Sequence, residues 1–258
     1  MTVWRVIPYS ENDAFTNMAI DEAISGSVGS GTELPTIRFY GWKPDAVSIG
    51  YFQSLQREVD MARCAELGVD IVRRRTGGGA VYHDSLGEIT YSVIGREELF
   101  PNDILASYRL ICGWIVDSLA LLGIRSEFKP INDIVVSAGS GGNLGQGKKI
   151  SGNAQTRRGG VLLQHGTILY SVDVDRMFSI LRVSDEKIKD KMIATVKERV
   201  TSITQQRLVS REETYEALFE GFTHGKDFRL GDLSNHERKR ALELVETRYL
   251  SREWNEMR

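Results

Sequence analysis

Residues 73–84 read Arg-Arg-Arg-Thr-Gly-Gly-Gly-Ala-Val-Tyr-His-Asp. Three consecutive glycines pack nothing and lose much conformational freedom on folding, so they persist where a backbone takes positive φ or runs close to a ligand. Exposed amides of such a loop beside Arg73, Arg74 and Arg75 would form a compact site for carboxylate or phosphate. Guanidinium supplies a bidentate fork, and clustered N–H groups add partial positive charge. His83 adds a polar group to an apolar setting, although a lone histidine is more often structural than catalytic. The competing account is a flexible turn with solvated arginines. The strand-like flanks DIVRRR and AVYH weigh against it.

A second glycine-rich stretch, SAGSGGNLGQGKKISGNAQ, places Gly142, Gly147 and Lys148 at the spacing of a phosphate-binding loop. Lys149 stands where that motif needs Ser or Thr for magnesium, and ISGNA reads as strand and turn where a helix should begin. The match is therefore a coincidence of glycines. Ser137 to Gly147 reads instead as a mobile loop between strands, free to close over a ligand.

The elements that must position these residues follow from periodicity. Phe15, Met18, Ala19, Ala23 and Ile24 recur at helical spacing, with Asn12 or Asp13 as cap. SGSVGSGTEL reads as a small-residue connector, and PTIRFYGW with AVSIGYF as a hairpin around Lys43-Pro44-Asp45. EVDMARCAELG is helical, with Gly68 as its stop, and VDIVRRR is a strand. EITYSVI is another strand. A long helix then runs from Asn102 to Gly123 with Ile104, Tyr108, Ile111, Ile115, Leu119 and Leu122 on one face. Strands recur at IRSEFK, DIVVS, KKISG and GVLLQHGTILYS, and the last hundred or so residues turn mainly helical.

Composition narrows the classes. At 258 residues and 41% hydrophobic the chain can fill a substantial core. With 33 basic against 35 acidic side chains it offers no broad nucleic-acid-binding face. No apolar run reaches the length of a membrane span, and MTVWRVIPYSEND lacks the pattern of a signal peptide. The chain therefore reads as cytoplasmic. Its two cysteines, Cys64 and Cys112, sit in helical patterns without metal-ligand spacing. No repeat or low-complexity tail is visible.

On RRRTGGGAVYHD, NDIVV, KKISGNA and HGTILYSVD, supported by IRFYGW, AVSIGYFQ, ERVTSI and EWN, the chain resembles the lipoate-protein ligase A family, within the wider biotin and lipoate ligases. The resemblance implies an α/β (α+β) fold, a mixed β-sheet core flanked by helices, with one catalytic domain over 1–258. It implies activation of lipoate with ATP and Mg2+ to lipoyl-AMP, then transfer to a lysine of an acceptor domain. Arg74, Gly77, Gly78, Gly79 and Ala80 fall where the family binds the adenylate, and His83 near the junction of nucleotide and acyl chain. Asn132 and Asp133 match a nucleotide-contacting pair, with magnesium near Asp133. Lys149 matches the catalytic cation that holds the acyl carbonyl and phosphate oxygens. Gly152, Ala154, His165 and Thr167 fall in the lipoyl-binding stretches, although a histidine satisfied within the core explains His165 and Thr167 nearly as well.

Long members of that family carry a small domain after the EWN region, where this chain ends, so the resemblance implies a separate accessory subunit for adenylation. Its acceptor would be a lipoyl domain of a 2-oxoacid dehydrogenase E2, a glycine-cleavage H protein or a similar carrier. One alternative is an octanoyl-[acyl carrier protein]:protein octanoyltransferase on the same fold, which GGVLLQHG and QTRRGG resemble. That branch uses a cysteine shortly before the strand that here reads NDIVV, where this chain has SEFKPI. Another is a non-catalytic lipoate- or adenylate-binding protein. A sensor has less use for a cation at the reacting carbon. Lipoate and octanoate are not separated by these residues.

Overall fold

The computed structural model describes residues 2–137, 147–182 and 186–258. The loop expected over Ser137 to Gly147 falls almost wholly outside them.

The chain enters through β1 (Val3–Asn12) and α1 (Ala14–Ser30), then β2 (Thr36–Trp42) and β3 (Ala46–Ile49). The short α2 (Leu55–Glu58) and α3 (Met61–Leu67) lead to β4 (Asp70–Arg73), β5 (Val81–His83) and β6 (Glu88–Arg96). Then come α4 (Ile104–Leu121), β7 (Ser126–Lys129), β8 (Asp133–Val136), β9 (Lys148–Arg158) and β10 (Val161–Leu169). α5 (Val174–Ile180), α6 (Glu186–Arg199), α7 (Ile203–Gln206) and α8 (Arg211–Thr223) precede β11 (Asp227–Leu230). α9 (Asn235–Leu244) and the single turn α10 (Arg252–Asn255) complete the described chain.

Eight strands form one sheet in the order β11-β1-β2-β6-β10-β9-β8-β7, and β4-β3-β5 form a second. β1 runs parallel to both β11 and β2, whereas β2 to β6 and β6 to β10 are antiparallel, which makes the large sheet mixed. Its two faces are both covered. Ile37, Phe39, Ile89, Tyr91 and Val93 point to one side, against Ile111, Ile115 and Leu119 of α4 and Leu218 and Phe222 of α8. Tyr40, Trp42, Ile94, Val161 and Leu163 point to the other, against Met18, Ala19, Ala23 and Ile24 of α1 and Ala241 and Leu244 of α9. The period-two alternation of the strands sends successive residues to opposite layers. Each fully buried Ile or Leu contributes about 1.5–3 kcal/mol.

The fold class is the expected one; strands β1 and β11 add to the expected elements, and three of those elements differ locally. α1 does not end before SGSVG. It continues to Ser30 and stops at Gly31, φ 76°, because Ser27 and Val28 pack inward and Ser25 satisfies its hydroxyl on the Asp21 carbonyl at 2.7 Å. β2 and β3 are not a hairpin. Both sides of β2 are already paired, to β1 and β6, so β3 leaves the large sheet and pairs with β4 and β5. The long helix exposes Ile104, and its buried face begins at Ser107 and Tyr108. α4 has the length and apolarity of a membrane span, yet this face packs into the core.

Candidate functional site

A cleft of about 350 Å³ opens where the two sheets meet. The loop after β4 supplies Arg74, Gly78, Gly79 and Ala80, β5 supplies His83, β9 supplies Lys149, Gly152 and Ala154, and β10 supplies His165 and Thr167. Asn132 lines it beside β8. Met177 of α5 and Val196 of α6 wall it with apolar surface, joined by Met18, Val81, Leu169 and Val200. Gly77 and Asp133 do not line this cleft; Asp133 faces an adjoining groove, with Lys149 between the two. A largely apolar trough with a few polar groups at one end suits an amphiphilic ligand.

The three arginines do not converge on a common anion. Arg73 is fully buried and points toward the C-terminus, donating to the carbonyls of Trp254 and Asn255 and to those of Gly50, Tyr51 and Gln53. Arg75 turns to Glu22 at 3.5 Å. Only Arg74 reaches the cleft, and its N–H groups are directed at Thr76 Oγ1, the Ser48 carbonyl and hydroxyl, and the Gly77 and Gly79 carbonyls. The anion site expected from residue type is thus an internal brace: the guanidinium shapes the loop around itself. Among the described residues no carboxylate pairs with it, and burial lowers it to about 10. Of the three glycines only Gly78 takes a left-handed conformation, φ 98°, and the loop docks so closely that a β-carbon on Gly50 would lie 2.0 Å from the Gly78 carbonyl oxygen.

Lys149 is set by strand pairing. β8 and β9 shift register beside it, between Ile134 and Val135, and the Lys149 carbonyl accepts the Thr201 N–H at 2.8 Å, which ties β9 to the end of α6. Its Nζ lies 2.6 Å from Asp133 Oδ1, an ion pair without hydrogen-bond alignment. Gly152 leaves the room: a β-carbon there would sit 2.8 Å from that Nζ. Asn132 lines the cleft with its amide engaged, exchanging side-chain and backbone hydrogen bonds with Asn153. Asn153 accepts the Tyr91 hydroxyl, and Tyr91 in turn accepts from Gln164. This buried ladder holds the floor of the site rigid.

His165 is buried, with Nε2 2.8 Å from Thr76 Oγ1 and Nδ1 3.7 Å from Asp21. Burial holds it below the ordinary imidazole value. Burial alone would raise the Asp21 carboxyl, but His165, Arg38 at 2.9 Å and Ser92 at 2.5 Å outweigh it and hold it low. His83 stacks on Trp42, centroids 3.9 Å apart and planes 17° apart. It bridges Ser48 Oγ at 2.8 Å and Glu88 Oε1 at 2.7 Å. Ser48, Trp42 and Glu88 escape the sequence reading, because each looks like an ordinary strand residue until β3 and β5 pair and bring Ser48 opposite Val81.

The family model for the lipoyl protein ligase A/B catalytic domain matches residues 13–223. The chain is 37% identical to the octanoyltransferase LipM of Macrococcus caseolyticus over 97% of each chain. It is also 37% identical to that of Brevibacillus brevis over 99% of each. A bi-partite lipoate protein ligase from Thermoplasma acidophilum, from an archaeal lipoylation system with its E2 lipoyl domain, superposes with a TM-score of 0.87 at 34% identity. The match covers 99% of this chain and 96% of that one. A lipoate-protein ligase A bound with ATP gives 0.81 at 32% identity, covering 99% and 98%.

These relationships correct the expected activity. The reading as an ATP-dependent lipoate-protein ligase gives way to octanoyl transfer, since the curated relatives matched end to end are octanoyltransferases. ATP, Mg2+, lipoate as substrate and lipoyl-AMP go with it, because a transferase moves an acyl group that is already activated. The accessory subunit was inferred for adenylation alone, and it has no support from relatives that match as single chains.

Proposed function

From the premise that the chain belongs to the lipoyl protein ligase A/B catalytic-domain family, we propose that it is an octanoyltransferase. It takes an octanoyl group from an activated thioester, as on an acyl carrier protein, and delivers it to the amine of one lysine on a lipoyl domain. The observation that carries this reading is the end-to-end identity with octanoyltransferases. Its acceptor is a lipoyl domain of a 2-oxoacid dehydrogenase or of a glycine-cleavage H protein, and its two free cysteines accord with the cytoplasm.

The apolar walls from Met18, Val81, Leu169 and Met177 hold the hydrocarbon chain and keep water from the carbonyl. Lys149 then stands at the polar end. Attack on a thioester or ester carbonyl places negative charge on the carbonyl oxygen, and a fixed ammonium beside it stabilises that oxyanion more than the neutral ground state. Asp133 holds the ammonium in place between turnovers, and Gly152 gives it room to swing into the cleft.

The test is direct: octanoyl-carrier protein, apo lipoyl domain and the purified chain are incubated, and the acceptor mass is read. One octanoyl group on the wild-type acceptor, and none on an acceptor whose target lysine is arginine, supports the reading. An unmodified wild-type acceptor rejects it.

A further inference from the structure

We propose that Ser48 is the residue that carries the acyl group between donor and acceptor, with His83 and Glu88 as its proton relay; the inference rests on the octanoyl-transfer reading above. The chain has two cysteines, and neither lines the cleft. Cys64 is enclosed beneath the small sheet and Cys112 lies on the core-facing side of α4, and burial raises their thiols to about 11 and about 12. A covalent intermediate on this chain therefore needs another nucleophile.

Ser48, His83 and Glu88 all line the cleft. Glu88 Oε1 lies 2.7 Å from His83 Nδ1, and Ser48 Oγ lies 2.8 Å from His83 Nε2. A carboxylate at Nδ1 keeps the proton on that nitrogen, so Nε2 accepts and the serine hydroxyl donates to it. Nucleophile, base and orienting acid thus stand in order and within hydrogen-bond reach, the relationship by which such relays are recognised on unrelated folds. The supports are equally specific. Trp42 stacks on the imidazole, and Thr90 Oγ1 donates to Glu88 Oε1 at 2.9 Å while accepting Trp42 Nε1–H at 2.8 Å, which fixes the plane of the ring and the carboxylate beside it. Arg74, without a carboxylate partner among the described residues, places a cation 3.1 Å from Ser48 Oγ, favouring alkoxide character at that oxygen.

The steps balance. Ser48 Oγ attacks the thioester carbonyl while His83 Nε2 takes its proton; the C–S bond breaks and His83 returns the proton to the departing thiolate. The acceptor lysine, as neutral amine, then attacks the serine ester. The C–N bond forms, the C–O bond breaks, and His83 passes the amine proton back to Oγ. Carrier and lipoyl domain can then visit the same cleft in turn.

The test uses the full chain with octanoyl-carrier protein and no acceptor, quenched in acid and mapped by mass. An octanoyl ester on Ser48 that disappears when apo lipoyl domain is added supports the inference. So does a fall in transfer of roughly 10³-fold or more in Ser48→Ala, with a trapped thioester in Ser48→Cys. Transfer by wild type with no acyl-chain adduct, or transfer persisting in folded Ser48→Ala, overturns this inference alone. No transfer by wild type overturns the octanoyl-transfer reading and this inference with it.

Discussion

Lys149 Nζ lies 2.6 Å from Asp133 Oδ1, and a β-carbon on Gly152 would come within 2.8 Å of the same nitrogen. The ammonium is thus held by a carboxylate and given room by a missing side chain. Lys149→Ala should lower kcat for octanoyl transfer by about 10²–10³ while the thermal midpoint stays near that of wild type. Gly152→Ala should reduce kcat less, because the tip of a flexible side chain can move aside. Steady-state kinetics beside thermal unfolding checks both, and equal activity in Lys149→Ala and wild type would remove the lysine from the chemistry.

Gly50 and Gly78 make the second close approach. Here the neighbour of an added methyl is a backbone carbonyl at 2.0 Å, which cannot rotate away. Gly50→Ala should therefore cost about 1–3 kcal/mol by urea unfolding and also lower activity, since the displaced loop carries the carbonyls that hold Arg74.

Asn255 ties the C-terminus to the small sheet. Its Oδ1 accepts the Arg73 N–H at 2.8 Å and its Nδ2 donates to the Tyr249 carbonyl at 2.6 Å. Asn255→Ala leaves both backbone groups buried and unpaired, so stability should fall by about 1–3 kcal/mol for each, seen as a lower urea midpoint with unchanged slope. Transfer should weaken too, because Arg74 follows Arg73 directly in the chain.

The pH dependence has a definite sign. His165 is held below its usual value of about 6.5, so the folded protein binds fewer protons there than the unfolded chain. Its contribution is complete above pH 6.5 and is lost as pH falls toward the folded value. Asp21 and Glu237 are also lowered. At Glu237 burial opposes the shift, but Arg5, bidentate at 2.7 and 2.8 Å, and Ser234 prevail. Their contribution is lost at lower pH, below about 4. Unfolding free energy measured between pH 8 and 3 should decline in two stages, and His165→Gln should abolish the first.

That Lys149, Gly152, Gly78 and Gly79 share one cleft was legible because short local patterns carry them: a lysine before ISGNA, three glycines after a strand. The mixed sheet was legible from alternation in EITYSVI and GVLLQHGTILYS. What sequence could not convey depends on long-range pairing. Ser48 sits in AVSIGYF as an unremarkable strand residue, and it meets His83 only because β3 leaves β2 and pairs with β5. The arginine triplet misled for a related reason. Residue type predicts a shared anion site, but the fold spends Arg73 on α10, Arg75 on α1 and Arg74 on its own loop.

Octanoyl transfer from a carrier thioester is checked by the initial rate of acceptor modification with octanoyl-carrier protein as sole donor, in wild type and Lys149→Ala, with and without ATP and magnesium. The expected result is one octanoyl group on the lipoyl-domain lysine at a rate that nucleotide leaves unchanged, falling at least a hundredfold in the variant. No product from the thioester, with product appearing only from free fatty or lipoic acid plus ATP, would contradict it.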